Sequence, residues 1–306
     1  MHILMCYNIF KVKLQRSCER MLKRKPRRWR YLSMDDIRAI GRSVDSLSVW
    51  HDAMENPMMV TSDRLAGKKI SFRFENDLVW SYEFFDERHL RWKVSDGRCG
   101  EEIYNASPAP GYPDLIWLHH YCSLEIPSCA DLYIDFETGY AVLFDASLGQ
   151  PDNPREVQRT IRFGVIDGAQ IDPNAVPPQY TNDLTGRAIR WKAPGSASRG
   201  GIKYIFSSCC YLTYAMKFRG TDYCWMSTNP CDYLKLREDL YICSTIEERQ
   251  TGVELLMLMN TTLMTDVQTE FGMGGPVELE SRLQTSMRSG REGVWDEIPV
   301  DFFNEE

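Results

Sequence analysis

The chain has 306 residues, 43% of them hydrophobic, which suits two buried cores better than one. Lys11 to Arg30 holds ten bases against one acid, Glu19, and the other 26 bases and 42 acids leave a body of net charge about −16. An acidic body repels phosphate backbones and no apolar run is long enough to span a bilayer, so neither nucleic acid nor membrane is an expected partner.

Residues 1–30 read as a basic extension outside the fold, with an Arg-rich targeting segment or misassigned upstream sequence as alternatives. The ten cysteines are scattered without a C-x-x-C pair, and Met1–Phe10 lacks the flanks of a signal peptide. Reduced thiols in a cytoplasmic protein are therefore expected.

Residues 33–43 predict a short helix, capped by Ser33, with Asp35 and Asp36 at its positive end and Ile37 and Ile40 as an apolar stripe. Its expected role is to plug or cover a barrel end. From Leu65 the period becomes two: Ile70, Phe72 and Phe74, then Trp80, Tyr82 and Phe84, then Leu90, Trp92 and Val94, separated by polar turns. Further strands are predicted at 102–106, 115–122, 131–136, 140–145 and 158–166. About eight antiparallel strands close into a barrel that holds side chains or one small ligand. The first module thus spans 31–166, and the Pro-rich segment 167–179 is a linker.

A second β-rich module is expected over 180–290, with strands at 202–207, 209–218, 222–226, 232–236, 240–245, 253–259 and 262–269. An acidic, loosely docked tail is expected over 291–306. Two segments link the modules: Leu65-Ala66-Gly67-Lys68 returns as Leu184-Thr185-Gly186-Arg187, and Asp131-Leu132-Tyr133-Ile134 as Asp239-Leu240-Tyr241-Ile242. Two anchors in one order suggest a repeated architecture. The expected fold class is mainly β: two tandem antiparallel barrels and a short N-terminal helix.

Familiar catalytic signatures are absent: no G-x-S-x-G, no phosphate loop, no dinucleotide fingerprint, no H-E-x-x-H. His119 and His120 are strand neighbours pointing to opposite faces, so the pair cannot chelate one metal, and neither metal nor cofactor is expected. One of the two could face the interior; His119 is the candidate for proton transfer. Lys93 faces either the chamber or solvent. Facing inward it would need a carboxylate, for which Glu101, Glu102 and Asp135 are candidates. The predicted catalytic set is Lys93, Glu102, His119 and Asp135. The predicted ligand-binding set is Phe72, Phe74, Trp80, Tyr82, Trp92, Tyr104, Trp117 and Tyr133.

Leu65-x-Gly67-Lys68 followed by Tyr82-x-Phe84-x-Asp86-x-x-x-Leu90-x-Trp92 resembles the N-terminal module of the molybdenum cofactor biosynthesis protein F (MoaF) family. Thr181-Asn182-Asp183-Leu184-Thr185-Gly186-Arg187, the aromatic strands ending at Trp225, and Lys235-Leu236-Arg237-Glu238-Asp239-Leu240-Tyr241 resemble its C-terminal module. The resemblance, over roughly 60–290, implies a calycin (lipocalin-like) barrel in each half and no particular activity. Gly67–Gly97 is also similar to phenolic acid decarboxylases. There the two phenol-binding tyrosines fall at Phe72 and Phe74 and the arginine at Lys93, a departure that argues against decarboxylation.

Two functions follow. One is a metal-free tailoring enzyme of lyase or isomerase type, which binds a hydrophobic or aromatic intermediate and steers cyclisation, dehydration or a hetero-Diels–Alder-type cycloaddition. The other is a non-catalytic carrier of a pterin-like or lipophilic molecule. A protein-interaction module with a solid core is a third reading. Association as a homodimer stays open.

Overall fold

The computed structural model describes residues 33–44, 62–149, 157–192, 199–218, 224–247, 252–274 and 282–297. The basic extension 1–30 lies outside the described residues.

Helix α1 (Met34–Ser43) starts at a capping box: Asp36 N donates to Ser33 Oγ at 3.2 Å, and Ser33 N to Asp36 Oδ2 at 2.9 Å. It does not enter a barrel but lies against the turn between residues 122 and 128 of the first one, where Arg42 Nη1 donates to Glu125 Oε1 at 2.8 Å. Ile37 packs with Tyr121, Cys129, Ala146 and Leu148 of the first barrel and Phe271, Met273 and Leu283 of the second, so the helix covers the seam between them.

The first barrel comprises β1 (Lys69–Phe74), β2 (Val79–Phe84), β3 (His89–Val94), β4 (Cys99–Ala109), β5 (Tyr112–Cys122), β6 (Ser128–Asp135), β7 (Tyr140–Leu148) and β8 (Val157–Ile166). Every neighbouring pair is antiparallel, and β1–β8 pairing closes the ring.

After a two-residue strand, β9 (Gln179–Tyr180), the second barrel comprises β10 (Ala188–Trp191), β11 (Arg199–Ile205), β12 (Tyr211–Phe218), β13 (Cys224–Lys235), β14 (Leu240–Ile246), β15 (Val253–Asn260), β16 (Thr265–Gly274) and β17 (Arg282–Asp296). Pairing of β10 with β17 and of β12 with β13 closes it, again with eight strands. The strands predicted at 222–226 and 232–236 are one strand, β13. It pairs with β12 as far as Pro230 and with β14 from Cys231, so the proline sits at the change of partner. The last strand runs to Asp296, which puts residues 291–296 in the barrel wall and not in a tail.

The first anchor of the repeat has one structure in both halves. Gly67 (φ 73°) and Gly186 (φ 79°) each precede a first strand, and their amides donate to Phe84 O and Phe206 O at 2.9 and 2.8 Å. Leu65 and Leu184, buried, close the respective barrel ends. The second anchor is a coincidence of letters. Asp131–Ile134 lies in the sixth strand of its barrel with Leu132 facing in; Asp239–Ile242 enters the fifth strand of the other with Tyr241 facing in.

The barrels are fused along one buried wall. The outer faces of β5–β8 contribute Leu115, Trp117, Tyr133, Val142, Phe144 and Phe163, packed against Leu234, Leu240, Ile242, Leu256 and Leu258 from β13–β15 and Leu236 from the turn after β13. This is why β6 is buried at every residue, its inner side by its own barrel and its outer side by the other.

Candidate functional site

Parity sets what the first chamber contains. Even-numbered residues of β1–β6 and odd-numbered residues of β7 point inward: Phe72, Phe74, Trp80, Tyr82, Trp92, Tyr104, Leu118, Leu132 and Leu143 form one buried cluster. Leu65, Phe136 and Ile166 pack against it, and Tyr104 OH donates to Asp86 O at 2.7 Å.

Polar groups gather towards the other end. Arg98 donates through Nη1 and Nη2 to Asp145 at 3.1 and 3.0 Å, and through Nε to Asp96 at 2.8 Å. Burial opposes its charge, but the two carboxylates outweigh that and hold its pKa above the ordinary arginine value. Its guanidinium lies 5.1 Å from the Trp80 ring centre, and Trp80 stacks on Trp92 at 5.3 Å with 18° between planes.

His120 is buried with Nδ1 3.0 Å from Tyr121 O, which only accepts, so Nδ1 carries the hydrogen. Nε2 then accepts from Tyr82 OH at 3.2 Å. Burial pushes the imidazole down to about 4 and the Tyr82 phenol well up, so both are neutral at physiological pH. Glu102 accepts from Ser123 N at 2.6 Å and Ser123 Oγ at 2.9 Å. Among the described residues, three buried donors on the first chamber's lining have no hydrogen-bond partner: Trp80 Nε1, Trp92 Nε1 and Arg162 Nε. Arg162 faces inward beside Leu143, its cross-strand neighbour.

Of the predicted residues, the structure brings Phe72, Phe74, Trp80, Tyr82, Trp92, Tyr104 and Glu102 together around this chamber. The other five lie elsewhere. Lys93 is exposed on the outer face of β3, between Ser81 and Cys99 of the neighbouring strands, and meets none of its proposed carboxylates. His119, Asp135, Trp117 and Tyr133 point outward and are buried between the barrels. There His119 bonds to Thr285 and Asp135 accepts from Arg237 Nη2 at 2.7 Å. The chamber residues missed are Arg98, His120, Asp145 and Arg162. On β5 the run Leu115–Cys122 shows no alternation, because both faces are buried, so nothing in it separates His120 from His119.

The second chamber holds a simpler version of the same device. Arg291 is ion-paired to Asp266, lies 4.9 Å from the Trp191 ring centre and reaches Tyr204 OH at 3.4 Å. Gly293 is required there: a Cβ would come within 2.7 Å of the Trp191 ring.

Fold and chamber together define a tandem calycin-like barrel protein, an architecture suited to enclosing small molecules. Residues 44–148 match the family model of the MoaF N-terminal domain. The match takes in the first barrel as far as β7. No curated protein matches the chain at a significant level. The decarboxylase resemblance gains no support: Phe72 and Phe74 supply no hydroxyl, and Lys93 faces away from the chamber.

Proposed function

We propose that the first barrel binds a flat, largely apolar small molecule bearing hydrogen-bond acceptors, such as ring carbonyls or ring nitrogens. The observation that carries this reading is the set of three unpartnered donors, Trp80 Nε1, Trp92 Nε1 and Arg162 Nε. A buried donor left unsatisfied costs about 1–3 kcal/mol, which an acceptor on the ligand recovers. The stacked Trp80–Trp92 pair offers a face for a planar ring, and the Arg98–Asp145 pair arrives already neutralised, so an uncharged ligand suits the chamber.

Native mass spectrometry of the full chain from its own host is the first test; a co-purifying small molecule is expected. Trp92→Phe keeps an aromatic face and removes the N–H, and should weaken binding of that molecule about ten-fold. A chamber that takes up no small molecule, or a Trp92→Phe variant that binds as tightly as the parent, overturns the reading.

The Tyr82–His120 pair favours a catalytic version of it. An imidazole whose pKa is held at about 4 is a weak base, so proton abstraction is disfavoured. Turnover would come from positioning and from a ligand carbonyl that takes the Tyr82 hydrogen from His120 Nε2 during cyclisation, dehydration or cycloaddition. Tyr82→Phe should then lower kcat while leaving ligand affinity nearly unchanged.

A further inference from the structure

Between the barrels lies a buried group of metal-ligating side chains that the chamber does not use. Cys129 and Asp131 on β6 and His119 on β5 point outward from the first barrel, and all three are buried. Their donor atoms lie within 4.8 Å of one another. Cys129 Sγ is 3.6 Å from His119 Nδ1 and 3.2 Å from Asp131 Oδ2, and Nδ1 is 2.8 Å from Asp131 Oδ1. In a tetrahedral site with metal–sulfur bonds of about 2.3 Å and metal–nitrogen or –oxygen bonds of about 2.0 Å, such edges measure roughly 3.3–3.6 Å. Small side-chain shifts bring the three donors to that spacing.

The second barrel orients the histidine. Nε2 lies 2.5 Å from Thr285 Oγ1, and that hydroxyl donates to Glu270 O at 3.0 Å. With the hydroxyl hydrogen so committed, Nε2 carries its own hydrogen, and the contact from Nδ1 to Asp131 Oδ1 holds a further one in the metal-free chain. A cation that replaces that hydrogen meets the Nδ1 lone pair and the carboxylate together, 2.8 Å apart. An imidazole anchored through its far nitrogen is the usual support of a metal-bound histidine.

A fourth donor faces the same wall. Glu254 on β15 is 1% exposed and neither of its oxygens accepts a hydrogen bond; Arg159 Nη1 lies 3.7 Å from Oε1. Its cross-strand neighbour Phe271 packs against Cys129 and is itself paired with Thr285, the residue that holds His119.

We propose that Cys129, His119 and Asp131 hold a zinc ion, that Glu254 of the second barrel, which stands outside that group of three, is drawn in as the fourth ligand, and that the closed site fastens the two barrels to each other. A mixed thiolate, imidazole and carboxylate set is the chemistry of zinc rather than of magnesium or calcium, and burial suits a structural role. Loading replaces the thiol proton and the hydrogen between His119 Nδ1 and Asp131, and both leave to solvent.

The test uses the full chain, stripped with a chelator and reloaded with zinc. Elemental analysis should find a single tightly held zinc per chain, and X-ray absorption should show a single sulfur in its shell with nitrogen and oxygen making up the rest. Cys129→Ser and His119→Gln should each lose the metal, whereas a Cys209→Ser, Cys210→Ser double variant, altered at two exposed thiols, should keep it. Should the buried variants fail to fold, the wild-type absorption spectrum decides. A reloaded wild-type chain without zinc, a shell without sulfur, or loss of the metal with Cys209 and Cys210 overturns the proposal.

Discussion

Two neighbouring histidines on one strand, His119 and His120, live in different surroundings because a strand turns successive side chains to opposite faces. His120 meets the chamber, where burial lowers its pKa to about 4. A folded value below the unfolded one, about 6.5, favours the fold while the ring is neutral. That contribution is complete above the unfolded pKa and is lost as pH falls through the folded one. Between pH 6.5 and 4 the wild type should therefore lose about 3 kcal/mol relative to His120→Gln, as an upper bound. Urea titrations of both proteins across that range measure the difference; parallel stability curves would show that His120 is not held neutral. Lys93 gives the opposite case. Its ammonium is in water on the outer face, so Lys93→Met should shift stability by no more than about 0.5 kcal/mol and leave ligand affinity unchanged. A large loss of affinity would return Lys93 to the chamber.

Single elements show what the sequence makes legible. Strands β1–β3 each have one face towards the chamber and one towards solvent, so Phe72, Trp80, Tyr82 and Trp92 alternate with polar residues and their direction can be read directly. On β5 and β6 both faces are buried, the alternation disappears, and Trp117 and Tyr133 look as inward as Leu118 and Leu132. Strand β17 escapes notice for another reason: Arg291, polar in sequence, is one of its buried residues, matched by Asp266, its neighbour on β16. The turn before each first strand is the most legible feature, since Gly67 and Gly186 hold the same left-handed conformation and a Cβ on either would meet nothing within 4 Å. The cost of Gly67→Ala or Gly186→Ala is then backbone strain alone, about 1 kcal/mol each and nearly equal. Thermal unfolding of the two variants checks this, and a cost several times larger at one site would show that the two turns are not equivalent.

At the scale of the whole molecule, the shared wall decides how the two barrels behave. Each presents a row of large apolar side chains on its outer surface, Trp117, Phe144 and Phe163 on one and Leu240, Leu256 and Leu258 on the other, which water would meet if the barrels parted. Burying each fully is worth about 1.5–3 kcal/mol, so the summed contact rivals the marginal stability of an ordinary domain. The barrels should therefore unfold together. Calorimetry is expected to show one heat-capacity peak whose calorimetric and van't Hoff enthalpies agree. Leu258→Ala, which opens a cavity in the wall and not in either chamber, should cost about 3 kcal/mol and move that single peak as a whole. Two resolved peaks in the wild type, or a Leu258→Ala variant in which only the second barrel's melting shifts, would mean that the wall joins two independent folding units and that the zinc site proposed within it bridges them without coupling them.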